Sequence, residues 1–494
     1  MSADTVGTAA EPVPDTPTNP RPTIVLGAAG SLLLLAGSFG AAAGSVRHPF
    51  LGGPLDWLNY GHGRMLAEFA VYLGYALMVL AWIRLGRHVI AGRLGTRPVL
   101  VAAACWTVPM LFAPALFTRD VFSYLAQGAV ALDGYDPFTV APTVLGPDSE
   151  ILNNVHPFWQ GTPAPYGPLF ILLAKGTVWL VGSNVYAGIL VTRLVQLSGL
   201  ALLVWALPGL VRHLGGKLPV AAWLLIAGPL TVVHLVGGPH NDLMMIGLLA
   251  AGTLLVLDGR HAAGIAVVTV SVAVKASSAV VLPFLVWVWA NRLADRAGNP
   301  ARWRTFVRAA ACSLGVFAVV FAALTLLAGV DLGWLSMVNA SSRLVNWLSP
   351  PTALGEIVHG LAGIFVDSSR DPFVTVTRIV GQVVLVVLLA RQWWLARDGG
   401  ADAVRRAAIA LLLVAVLSPT MLPWYLTWGL AIGAALPWRP RWLAVAAGVS
   451  VFMVAPYSAS GEQLLYEWPL MFLAIALSAL AGYALVRPTV TARA

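Results

Sequence analysis

The stretch AAGIAVVTVSVAVKASSAVVLPFLVWVWA, Ala262 to Ala290, runs for 29 residues with a single charge, Lys275, at its middle. Hydrocarbon about 30 Å thick is crossed by roughly 20 helical residues. A run this long, interrupted by Lys275, Ser277 and Ser278, reads as two half-spans that meet at one membrane face. One long tilted helix with Lys275 paired to a buried acid is the competing reading.

Outward from it, apolar runs recur along the chain. They are Ile24 to Gly44, Leu66 to Arg84, Pro98 to Phe117, Tyr186 to Leu207, Pro219 to Val236, Leu243 to Leu257, Ala262 to Val274, Ser277 to Ala290, Phe306 to Gly329, Phe373 to Trp394, Val404 to Leu417, Trp424 to Leu436, Trp442 to Ala455 and Trp468 to Val486. The expected fold class is an all-α polytopic integral membrane protein with about fourteen transmembrane helices.

Composition agrees. Of 494 residues 59% are hydrophobic and 10% charged, with mean hydropathy +0.81, against roughly 45–50% and 25% in soluble domains. A soluble enzyme with one anchor is excluded. The net charge of +9 would suggest nucleic acid in a soluble chain, but the arginines cluster in short loops, as cytoplasmic flanks do, so a bilayer rather than nucleic acid is the expected partner. Cys105 and Cys312 lie inside apolar runs and read as buried small hydrophobes. Residues 1–22, rich in Pro, Thr, Ala and acids and lacking a basic start, read as a disordered cytoplasmic tail.

Arg84, Arg87, Arg93 and Arg97 mark one cytoplasmic loop, so Pro98 to Phe117 should exit outside and residues 118–167 form a large external loop. There Arg119 stands against Asp120, Asp133, Asp136, Asp148 and Glu150. Leu169 to Gly182, short and carrying Lys175, reads as an interfacial helix on the outer face. Both termini then fall in the cytoplasm. The expected organisation is a tail (1–22), two N-terminal transmembrane helices (23–97), a membrane module carrying the large external loop (98–291) and C-terminal transmembrane helices (292–494) with an external loop at 330–372.

Ionisable groups at membrane depth default to functional candidates. In Phe117-Thr118-Arg119-Asp120-Val121-Phe122-Ser123-Tyr124 a carboxylate meets the outer interface beside an arginine. Partly desolvated, Asp120 could take a proton from a hydroxyl nucleophile; a helix cap with a solvated ion pair is the plainer alternative. In Gly237-Gly238-Pro239-His240-Asn241-Asp242, three polar residues could bind an anion, a sugar hydroxyl or a metal, though one of them suffices as a helix cap. The spacing supplies too few ligands for a metal. Lys275, with a helix N-terminus and two serines, suits a phosphate. Arg193, Arg343 and Arg378 could add cationic charge, and Trp424-Tyr425 could stack on a sugar or serve an interfacial belt.

In this order, the Thr118-Arg119-Asp120 segment, Tyr135-Asp136-Pro137-Phe138, Tyr166-Gly167-Pro168-Leu169, Gly238-Pro239-His240-Asn241-Asp242, Val274-Lys275-Ala276-Ser277-Ser278 and Leu422-Pro423-Trp424-Tyr425 resemble the actinobacterial polyprenol-phosphomannose-dependent α-1,6-mannopyranosyltransferases, of the GT-C glycosyltransferase class. The resemblance implies a GT-C-like fold with external juxtamembrane helices in the plasma (inner) membrane. It implies transfer of mannose from polyprenyl-phosphomannose to the 6-hydroxyl of a lipid-anchored mannan, the lipomannan and lipoarabinomannan backbone, on the external face. Asp120 matches the family's catalytic base, and inversion would need one base only. Lys275, with Arg193, Arg343 and His240, would hold the donor phosphate. Arg119, Tyr124, Asp136, Tyr166, Asn241, Asp242, Trp424 and Tyr425 would contact substrate. No cofactor is implied, and Arg119 and Val121 flanking Asp120 leave no paired acidic motif for a metal. A transporter or flippase of a polyprenyl-linked or anionic substrate is the alternative; it would share the helices and cations without needing Asp120 as a base.

Overall fold

The computed structural model describes residues 19–42, 53–297, 302–334 and 344–487. The expected tail lies outside these residues as far as position 18, and Arg21 already opens the first helix. Among the described residues the chain is helical throughout, the one β contact being an isolated bridge between Tyr457 and Gln463.

Among the described residues seven helices are long and apolar enough to cross a membrane: Arg21–Ala41, Gly61–Ile90, Val185–Leu214, Ala276–Arg296, Arg302–Ala328, Asp371–Asp398 and Trp468–Val486. Leu218–Ile226 and Leu230–Gly237 make an eighth if their 42° bend is taken as one broken span. The chain is a multi-pass membrane protein. The other expected runs hold shorter helices, among them Thr96–Met110, Asp242–Leu257, His261–Val274, Gly400–Leu417, Leu426–Gly433 and Pro440–Val454.

Shortness goes with position. Asp242–Leu257 is buried along nearly all its length, whereas Arg302–Ala328 and Asp371–Leu395 are largely exposed. Helices walled in by protein need not match the hydrocarbon thickness, while outer ones must. Cys105 and Cys312 correct the reading made of them: both are free and exposed rather than buried in the core.

Two devices position the centre. The Val185–Leu214 and Asp242–Leu257 helices touch backbone to backbone: a Cβ at Gly199 would collide with the Leu243 carbonyl, and one at Gly247 with the Gly199 carbonyl. The bend at Gly228-Pro229 separates wide π-helical turns, Ala222–Ile226 and Leu230–Gly237, and the Thr231 hydroxyl donates to the Leu225 carbonyl across it at 2.5 Å. Trp82 and Trp223 stack at 4.7 Å, and each indole N–H donates to the other's carbonyl, tying Gly61–Ile90 to that bend.

Candidate active site

After Met110 the chain leaves the helix, and Phe117 turns it with φ at 60°, a left-handed conformation rare for a bulky side chain. The Phe117 N–H donates to the Ala459 carbonyl at 3.0 Å, and its ring meets His234 edge-on at 5.9 Å. Three residues on, Asp120 opens a helix, Asp120–Leu132, inside the expected external loop. A carboxylate suits that end of the helix dipole, and its N–H donates to the Thr118 hydroxyl at 3.1 Å. This helix packs closely on Pro168–Val181, the short segment expected to be interfacial, where Gly128 lies against the Ala174 carbonyl.

Arg193 holds this approach in place. It is fully buried, and its five N–H groups all donate to carbonyls: Nε to Val236 at 3.0 Å, Nη1 to Leu111 at 3.1 Å and to Ala113, Nη2 to Pro114 at 3.2 Å and Gly237 at 2.6 Å. The expectation that Arg193 binds the donor phosphate is thereby corrected, since no donor is left for a ligand.

The carbonyls of Val236 and Gly237 lead into the His240-Asn241-Asp242 turn, all three fully buried. His240 Nδ1 lies 3.5 Å from Asp120 Oδ2, and its ring stacks on Trp424 with centroids 3.4 Å apart. Burial holds the His240 ring well below its ordinary pKa, so it is neutral. At 0% exposure it cannot reach a donor phosphate, which corrects that expectation too.

Lys275 is where the opening stretch breaks. His261–Val274 ends there, and Lys275 itself is extended (φ −151°, ψ 126°) before the chain re-enters helix at Ala276. Its ammonium donates to both Asp242 oxygens, at 2.9 and 2.8 Å, and sits over the Tyr425 ring at 4.9 Å. Both sequence readings hold in part: the run is broken, and the lysine has a buried acid.

These groups border a cleft of about 370 Å³. Of the expected residues, Asp120, Tyr166, Lys275, Trp424 and Tyr425 line it. Tyr124 stands behind Tyr166 with rings at 5.3 Å, and Asp242 lies beneath Lys275. Asn241 is buried at the foot of the Asp242–Leu257 helix. Arg119 points instead to the Asn154 carbonyl at 3.1 Å, and Asp136 accepts from the Phe138 N–H at 2.9 Å in a tight turn; neither lines the cleft. Arg343 lies outside the described residues. Sequence reasoning missed Trp159, Ser277 as a wall residue, Thr420 and Trp428. Trp428 donates to Asp242 Oδ1 at 2.6 Å and stacks on Tyr425 at 4.1 Å.

Asp120 is 21% exposed and opens to the cleft. Burial pushes its carboxyl up to about 6; Lys275 and Thr118 pull it down, and Asp242 pushes it up. That is the range in which a carboxylate serves as a general base. Among the described residues no three His, Cys, Asp or Glu side chains converge as metal ligands would.

Residues 24–291 match the family model described as alpha-(1->6)-mannopyranosyltransferase, N-terminal domain, and residues 351–487 match the MptB C-terminal domain. The chain is 40% identical over 464 residues to alpha-(1->6)-mannopyranosyltransferase A of Mycobacterium tuberculosis, covering 94% of this chain and 89% of that protein. It is 32% identical over 460 residues to alpha-(1->6)-mannopyranosyltransferase A of Corynebacterium glutamicum, covering 88% and 92%. With both halves of the chain matched and the Asp120 and Lys275 segments inside the first match, this protein belongs to the alpha-(1->6)-mannopyranosyltransferase family.

Proposed function

We propose that this chain transfers mannose from polyprenyl-phosphomannose to the 6-hydroxyl of a lipid-anchored α-1,6-mannan, elongating the lipomannan and lipoarabinomannan backbone with inversion. The observation that carries the reading is the placement of Asp120 and Lys275 on one cleft, Asp120 at the first turn of its helix and Lys275 at the break between two. Asp120 accepts the proton of the acceptor hydroxyl as its oxygen attacks the sugar C1. The C1–O bond to phosphate breaks, and the electron pair leaves with polyprenyl phosphate. One displacement on a β-linked donor gives the α product without a covalent sugar intermediate. Lys275 keeps one N–H beyond the two given to Asp242, and it faces the growing phosphate charge. Tyr166, Trp424 and Tyr425 offer aromatic faces to the sugars. The cleft opens at the external face of the plasma membrane, with both termini cytoplasmic.

The test is mannose transfer from synthetic polyprenyl-phosphomannose to an α-1,6-mannoside by purified protein, comparing the wild type with Asp120→Asn, Asp120→Ala and Lys275→Ala, with and without chelator. Transfer lost in both Asp120 variants and kept in chelator is expected. Full activity in Asp120→Ala, or no transfer from any polyprenyl-linked sugar, sinks the mechanism and turns attention to lipid transport.

A further inference from the structure

His240 is the buried imidazole nearest the base, and the donor cannot touch it. Its ring nitrogens have no hydrogen-bond partner among the described residues, yet Nδ1 stands 3.5 Å from Asp120 Oδ2. That is longer than a formed hydrogen bond, and such contacts tighten when substrate closes the site. The ring plane is fixed by the stack on Trp424, tilted only 22°. Arg193 holds the backbone leading to both residues, through Leu111, Ala113 and Pro114 before Asp120 and through Val236 and Gly237 before His240. One buried cation thus sets their separation.

We infer that His240 is a positioning residue: its neutral ring donates Nδ1–H to Asp120 Oδ2, leaving Oδ1 to receive the hydroxyl proton in the cleft. This rests on Asp120 acting as the base. No covalent step is added, because the histidine keeps its proton throughout. The other groups that bear electrostatically on Asp120 are Lys275 and Asp242 from the paired helix ends, the Thr118 hydroxyl, and Tyr124, Tyr166, Tyr425 and Tyr457, with Arg119 adjacent in the chain. Of these, Lys275 is committed to Asp242.

The test compares His240→Phe, which keeps the stack on Trp424, with His240→Gln, which keeps a donor. It reads kcat, donor KM and the pH profile of kcat with polyprenyl-phosphomannose, thermal melting confirming that each variant folds. In His240→Phe, kcat falls about ten- to hundredfold, the acidic limb moves up by about one pH unit because the carboxylate loses a donor, and donor KM holds. His240→Gln recovers most of both. If the phenylalanine variant does not fold, His240→Leu takes its place. An unmoved acidic limb, equal losses in the Phe and Gln variants, or a raised donor KM at constant kcat overturns the inference while leaving Asp120 as the base. Undiminished transfer by Asp120→Asn overturns the reading beneath it instead.

Discussion

Lys275 and Asp242 form a buried ion pair across two helix ends, the ammonium 2.8 and 2.9 Å from the two carboxylate oxygens, with Asp242 fully buried and Lys275 14% exposed. Neither charge is well hydrated, so each depends on the other. Removing the acid alone, in Asp242→Ala, should destabilise the protein by about 3–5 kcal/mol. Asp242→Leu combined with Lys275→Met should regain most of it while abolishing transfer. Thermal melting in detergent decides: a double variant no more stable than Asp242→Ala rules out the pair as the source of the loss.

Trp428 supplies the third donor to Asp242. Trp428→Phe keeps the stack on Tyr425 but deletes the 2.6 Å hydrogen bond to the carboxylate. Bonds to charged groups contribute about 1.5–3 kcal/mol, so the melting temperature should drop by several degrees. An unchanged melt would mean that water replaces the indole.

The helix break at Lys275 was legible because a charge inside 29 apolar residues has few solutions in a bilayer. Asp120 was legible from its place at the end of a span. The partner of Lys275 was not, since Asp242 is 33 residues away and no local period links them. Arg193 was misread for a different reason: its acceptors are backbone carbonyls, which every residue carries and no motif announces. Trp428 could have been found, one helical turn beyond Tyr425 on the same face. Trp159 could not, because it reaches the cleft from a short helix in an irregular loop where periodicity has no purchase.

Trp159 lines the same cleft as Asp120 and Lys275. On the proposed reading, an aromatic face there would contact the acceptor sugar in the ground and transition states alike. Trp159→Ala should raise acceptor KM about two- to tenfold with kcat unchanged. A fall in kcat at constant KM would place Trp159 at the reacting centre instead.

Arg193→Lys leaves a point charge with three donors where five carbonyls converge. At least two carbonyls then lose their partner, at about 1–3 kcal/mol each. Because those carbonyls fix the approach to both Asp120 and His240, melting temperature and kcat should fall together, with donor KM unchanged. Raised donor KM with an unchanged melt would return Arg193 to the phosphate.

Asp120 sets activity against stability. Its folded carboxyl titrates near about 6, above the ordinary 3.8, because burial disfavours the charge. The folded chain therefore holds this proton more tightly than the unfolded one. The stability it contributes is full below the unfolded value and lost as pH rises through the folded value. At about pH 7.5 the site carries a charge its surroundings resist. Asp120→Asn should raise the melting temperature at about pH 7.5, change it little at about pH 4, and lower turnover about 10²- to 10⁴-fold. Wild-type turnover needs the carboxylate, so it should climb about tenfold per pH unit below the folded value and level off above it. A melting temperature that falls at the higher pH would mean that the carboxylate is held by contacts stronger than its burial. The acidic limb would then lie well below the folded value as well.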